Sequence, residues 1–172
     1  MSDEPKSYRE AVQKLGALIK DVRFAMLTTQ TPEGYLHSRP MATQQIEFDG
    51  VLWFLTSISS AKIGEVQQHH DVNLAYADSN ADKYVSVAGT AEILRDREKL
   101  DELWSPFHTA WFPKGKDDPE IALIKVTVES AEYWNVPESK MVQVLGFAKA
   151  ALTGKRYEPG EHGEVDLNKP AA

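Results

Sequence analysis

The 172-residue chain contains no cysteine. That absence excludes disulfides and thiol chemistry, and leaves histidine and carboxylates as the strong metal ligands. No run of 18 apolar residues occurs, so no segment reads as a membrane-spanning helix. The opening MSDEPKSYRE is polar and lacks the apolar stretch of a secretory signal. Together these absences give the expectation of a cytoplasmic protein. Cations are in deficit, with 19 Lys and Arg against 26 Asp and Glu and a net charge of −7. Nucleic-acid binders gain affinity mainly by neutralising phosphates, so no such partner is expected. A small phosphorylated ligand needs only two or three local cations and is not excluded.

Several motifs are missing as well. There is no HExxH, and His69 and His70 are neighbours, which on a helix point about 100° apart. His108 and His162 are scattered, so no metal site is expected. The glycines of a GxxxxGK[ST] loop are lacking, which argues against a nucleoside triphosphate, and no GxSxG nucleophile elbow is present.

What is present reads as short strands among a few helices. Ser7-Tyr-Arg-Glu10 has capping-box form, and Val12, Leu15, Ile19 and Val22 follow at helical spacing, predicting a helix over 8–22. Strands are expected at 24–29, 35–46, 51–57, 72–77, 84–94 and 121–134, separated by turn signals such as Thr31-Pro-Glu-Gly34 and Glu47-Phe-Asp-Gly50. Short helices are expected at 60–70, 96–104 and 141–152, with Gly154 as a stop. From about Arg156 the chain is rich in Pro, Gly and acid, so 154–172 is read as a poorly ordered tail behind one domain spanning 5–153. Hairpin-linked strands argue against regular βαβ alternation. The expected fold is mainly β (α+β): a six-stranded antiparallel barrel, closed or nearly so, with flanking helices.

Three groups of residues could carry chemistry. In Trp53–Val66, WFLTSISSAKIGEV, an apolar strand breaks into Thr56, Ser57, Ser59 and Ser60, and Lys62 follows at a helix start. Helix N-termini offer free N–H groups and the positive end of the helix dipole. The stretch therefore reads either as an anion site or as a solvated turn with a serine cap. Arg39, in His37-Ser-Arg-Pro40, could clamp a phosphate bidentately; equally it could be an exposed edge arginine, because Pro40 favours an edge strand or a bulge. Trp53, Trp104, Trp111 and Trp134 could wall a planar ligand or simply fill core.

The order MLTT, HSRPM, WFLTSISSAKIGEV, YVSVAGTAEI, EYWNV resembles the FMN-binding split barrels related to pyridoxamine 5′-phosphate oxidase, and more closely their bacterial general-stress-protein branch. The resemblance runs over roughly residues 5–150. It implies that Arg39 meets the phosphate or the pyrimidine edge of the isoalloxazine, and that Pro40, Met41 and Ala42 offer backbone groups along the ring. It also implies that Thr56 and Ser57 contact the ring or ribityl chain, and that Ser60 and Lys62 hold the 5′-phosphate. Family dimers build each site at the subunit interface, so Trp104, Trp111 or Trp134 would approach from the partner chain.

Two departures count against pyridoxamine phosphate oxidation. Ala61 stands where those oxidases carry an arginine beside the lysine, and the acidic end KRYEPGEHGEVDLNKPAA lacks their Arg-x-His signature. The resulting expectation is a homodimeric flavoprotein, binding FMN or FAD, with a redox role in stress response as a flavin-dependent oxidoreductase. The alternatives are a flavin carrier, sensor or store without turnover, or a barrel that takes another planar ligand such as haem.

Overall fold

The computed structural model describes residues 7–135, 149–154 and 160–168. Helix α1 spans Tyr8–Ile19, and its first turn is capped by Ser7, whose hydroxyl accepts from the Glu10 N–H at 3.3 Å. Strands β1 (Phe24–Gln30) and β2 (Leu36–Ala42) form the expected hairpin, in the register Leu27 opposite Arg39 and Met26 opposite Pro40. Strand β3 (Val51–Ser57) leads into α2 (Ala61–Gln68). After it come β4 (Asp71–Asp78), β5 (Lys83–Leu94), α3 (Arg97–Leu103), two 3₁₀ turns at Pro106–Ala110 and Gly115–Asp117, and the long β6 (Ile121–Asn135). Of the helix expected at 141–152, residues 149–153 are helical and 141–148 lie outside the described residues.

Every pairing is antiparallel, in the order β2-β1-β4-β5-β6-β3. The two end strands, β2 and β3, approach one another without forming a ladder among the described residues. The sheet is thus curled into the split barrel that the strand pattern predicts. Pro40, which has no N–H to donate, sits on an end strand of this path, where the ladder does not need one.

One correction concerns the tail. Glu161–Asp166, in the stretch expected to lack order, forms a seventh strand, β7, against β6. Strand β6 is long enough to serve two partners on one edge: Ile121–Thr127 pair with β3, and Ser130–Asn135 pair with β7. The tail alternates as a strand should, with Gly163, Val165 and Leu167 buried between exposed residues. Lys14 on α1 fixes it by donating to Glu161 at 2.6 Å, and Tyr133 on β6 donates to the same carboxylate oxygen at 2.8 Å.

The barrel interior is filled by Leu27, Phe54, Leu74, Val87, Ile124 and Val126, and α1 adds Ala11, Leu15 and Ile19 to the same core. A second, smaller cluster lies where Leu100 and Leu103 of α3 pack with Leu123, Ile121 and Phe112. Four consecutive buried residues, Ile121–Ile124, follow from this. Both faces of β6 are covered there, so the usual in–out alternation is lost.

Candidate functional site

Arg39 and Met41 point to the covered face of β2, while Ser38 and Pro40 point outward. The Arg39 side chain is held inside by two partners. One guanidinium nitrogen donates to the Thr29 hydroxyl on β1, and another lies 2.8 Å from the Glu65 carboxylate on α2. Thr29 also donates to Glu65 at 2.5 Å, and both residues are buried. His37 stands 3.9 Å from the other Glu65 oxygen and is largely exposed. Burial pushes the Glu65 carboxyl pKa up, but the bonds from Thr29 and Arg39 and the charge of Arg39 outweigh it and hold the group below its ordinary value.

Beside this pair lies the group formed where β3 hands over to α2. The half-buried Lys62 ammonium donates to Thr56 Oγ1 at 3.0 Å and to Ser60 Oγ at 2.6 Å. Those bonds use two of its three hydrogens, and no carboxylate among the described residues comes within ion-pair distance of it. Burial first, and then the neighbouring charge of Arg39, pull its pKa below that of an ordinary lysine. Ser60 occupies the N-cap position in extended conformation, yet its side chain makes no cap bond and instead accepts from Lys62. The first amides of α2 are therefore left without a side-chain cap. With Arg39, Lys62 and Glu65 ionised the cluster carries one net positive charge. Such an arrangement can receive an anion.

The remaining residues singled out in the sequence are dispersed. Ser57 turns the other way from Thr56, its hydroxyl 2.8 Å from Ser59 Oγ and 3.3 Å from Glu120. Ala42 ends β2 in the lining of a cleft of about 580 Å³ that Trp104 also lines. Trp111 is exposed and tilts against Phe107 at 4.7 Å between ring centroids. Trp134 stacks on His162 at 5.2 Å where β6 meets β7.

Sequence reasoning missed Glu65 and Thr29. The available signal was the i, i+3 spacing of Lys62 and Glu65, which puts both on one helix face. A helical glutamate is ordinarily exposed, and only the barrel shows that this one faces Arg39.

Residues 10–158 match the family described as pyridoxamine 5′-phosphate oxidase like. Protein bli-3 of Neurospora crassa is 29% identical over 156 residues, covering 85% of this chain and 75% of that protein. General stress protein 26 of Bacillus subtilis is 30% identical over 116 residues, covering 65% and 80% respectively. Among solved structures, the general stress FMN/FAD binding protein of Xanthomonas citri superposes with a TM-score of 0.66 at 30% identity, covering 77% of this chain and 92% of that one. The chain belongs to the pyridoxamine 5′-phosphate oxidase-like family.

Proposed function

We propose that this chain binds a flavin nucleotide, FMN in the first instance and FAD as the alternative, and serves a redox role in the stress response. The observation that carries the reading is the Lys62 ammonium, held by Thr56 and Ser60 with a hydrogen to spare and no paired carboxylate among the described residues. A phosphate would complete its coordination, with Ser60, the uncapped start of α2 and Arg39 as further donors. Arg39 is not a loose side chain that must be recruited; Thr29 and Glu65 already fix its plane. Strand β2 rises from Arg39 to Ala42 over roughly 10 Å at the usual strand rise. That span gives Pro40, Met41 and Ala42 as the backbone wall along which an isoalloxazine would lie, with Thr56 and Ser57 toward the ribityl chain. The Xanthomonas citri protein, named for FMN/FAD binding, supports the ligand class.

Bound flavin supplies one- and two-electron transfer itself; the chain's part is to hold the phosphate and bury one face of the ring. We place the site in a homodimer, in which Trp111 or Trp134 reaches the flavin from the partner subunit, while Trp104 lines the cleft beside Ala42 of its own chain. The outer face of β1 and β2 suits such an interface, since Phe24 and Met26 are exposed there with Pro40 directly across from Met26. No described helix is long and apolar enough to cross a membrane, and a cytoplasmic location is part of the proposal.

The test is an absorption spectrum of protein incubated with FMN and then desalted. Retained bands of oxidised flavin are expected, and their bleaching by NADH or NADPH would separate an oxidoreductase from a carrier. A folded protein with a blank spectrum would sink the flavin reading.

A further inference from the structure

The cleft at the end of β2 holds a donor that no described residue uses. His108 lies in its wall and is buried, its ring set between those of Trp104, at 5.5 Å, and Phe107, at 5.9 Å. Its Nδ1 accepts the backbone N–H of Ser105 at 3.0 Å, with the Ser105 hydroxyl at 3.2 Å. An Nδ1 that accepts leaves the proton of a neutral imidazole on Nε2. Burial favours that neutral form, holding the ring's pKa below the ordinary histidine value.

No protein acceptor among the described residues meets Nε2–H. Nor is the atom sealed away. Among the described residues the Tyr76 hydroxyl is the one partnerless side-chain polar atom that is fully buried, so Nε2 keeps some exposure, and His108 is a lining residue of the cleft. The other lining groups narrow the ligand. Lys20 and Arg23 are opposed by Asp21, while Glu102 is already paired with Lys99 at 2.6 Å, so the lining carries a slight positive excess that suits a partly negative carbonyl oxygen. Trp104 and Phe107 offer flat apolar faces suited to stacking. Ala42 belongs both to this cleft and to the backbone wall proposed for the flavin.

We infer that the cleft is the second-substrate subsite, taking a planar carbonyl compound of the quinone type whose oxygen accepts from His108 Nε2–H. The inference rests on the flavin reading, because it is the flavin beside Ala42 that makes a ligand here a reaction partner. His108 orients the carbonyl, Trp104 and Phe107 hold its ring, and the Ser105 N–H keeps the imidazole in the donating tautomer.

The experiment is calorimetric titration of the FMN-loaded protein with 2-methyl-1,4-naphthoquinone, flavin content being read from absorbance beforehand. Saturable binding is expected. His108→Phe, which keeps a ring but has no donor, should weaken it about five- to tenfold, the worth of one net hydrogen bond. His108→Gln, which keeps an N–H near the Nε2 position, should restore most of the affinity. The ¹⁵N resonance of His108 Nε2 should shift on quinone addition. Equal affinity in His108→Phe and the parent would overturn the inference, as would flavin-loaded protein that binds no quinone. Protein that keeps no flavin after desalting overturns the flavin reading instead, and the subsite falls with it.

Discussion

Arg39 and Glu65, 26 residues apart in sequence, meet at 2.8 Å between β2 and α2. Thr29 hydrogen-bonds both of them, so the guanidinium is fixed before any anion arrives. The arrangement resolves an apparent conflict. A carboxylate beside a proposed phosphate site costs attraction, but it orients the arginine, and Lys62 remains as the cluster's cation without an ion-pair partner among the described residues.

Replacing Glu65 with Gln should destabilise the fold by about 2 kcal/mol at neutral pH, the scale of a buried hydrogen bond to a charged group. The pH dependence has a fixed sign. The folded pKa of Glu65 lies below the ordinary value of 4.5, so its stabilisation is fully present above that value and is lost as pH falls through the lowered one. Urea unfolding should therefore show a smaller acid-side loss in Glu65→Gln than in the parent. Parallel pH profiles would mean that the carboxylate contributes nothing as an anion.

The combined Arg39→Ala, Lys62→Ala change should weaken FMN binding by roughly a hundredfold or more, taking about 1.5 kcal/mol or more per charged hydrogen bond. Riboflavin lacks the phosphate and should bind the variant almost as it binds the parent. Fluorescence titration with both ligands distinguishes a lost phosphate contact from a damaged pocket, in which both affinities would drop.

Phe24→Asp should convert a dimer into a monomer by placing an unpaired charge on the exposed β1–β2 face. Sedimentation at micromolar concentration reads this directly against the 19.3 kDa chain mass. A parent protein that already sediments as a monomer would remove the interface from the flavin site.

Gly89 is a steric requirement. The register of β5 on β6 shifts between Ala88 and Gly89, and a Cβ at Gly89 would overlap the Thr127 carbonyl oxygen. Since backbone rather than a flexible side chain occupies that space, Gly89→Ala should cost about 2–3 kcal/mol, at the upper end of ordinary overpacking. Chemical denaturation measures it, and a change under about 0.5 kcal/mol would show that the bulge can relax.

How far these features were legible depends on how local their causes are. Thr56, Ser60 and Lys62 fall within seven residues, so hydroxyls and cation could be read together from the strand-to-helix step. Arg39 could be added because the β1–β2 hairpin is marked by its turn, and Pro40 by its preference for an edge. Strand β7 was hidden because its placement depends on distant partners. Lys14 and Glu161, 147 residues apart, form the clamp, and Gly163 lies so close over Tyr133 that a Cβ would sit 2.6 Å from the phenol oxygen. A Pro- and Gly-rich composition obscured the alternation of Gly163, Val165 and Leu167. From sequence His108 was weighed as a metal ligand, and with His37 as the axial ligand of the haem alternative. Its tautomer, and hence its use as a donor, exists only once Ser105 turns its N–H onto the ring.

Tyr76 tests whether the barrel floor is complete. Its hydroxyl is buried and finds no partner among the described residues, and burial raises its pKa well above the ordinary phenol value. A buried donor without an acceptor costs about 1–3 kcal/mol, whereas removing it while keeping the ring leaves the packing intact. Tyr76→Phe should therefore be neutral or stabilising by about 1 kcal/mol, seen as a shift in urea midpoint at unchanged slope. If the variant is instead destabilised by more than about 1 kcal/mol, the hydroxyl has an acceptor in the folded protein, and an ordered water in the cleft between α1 and β3, which Tyr76 lines, is the first place to look for it.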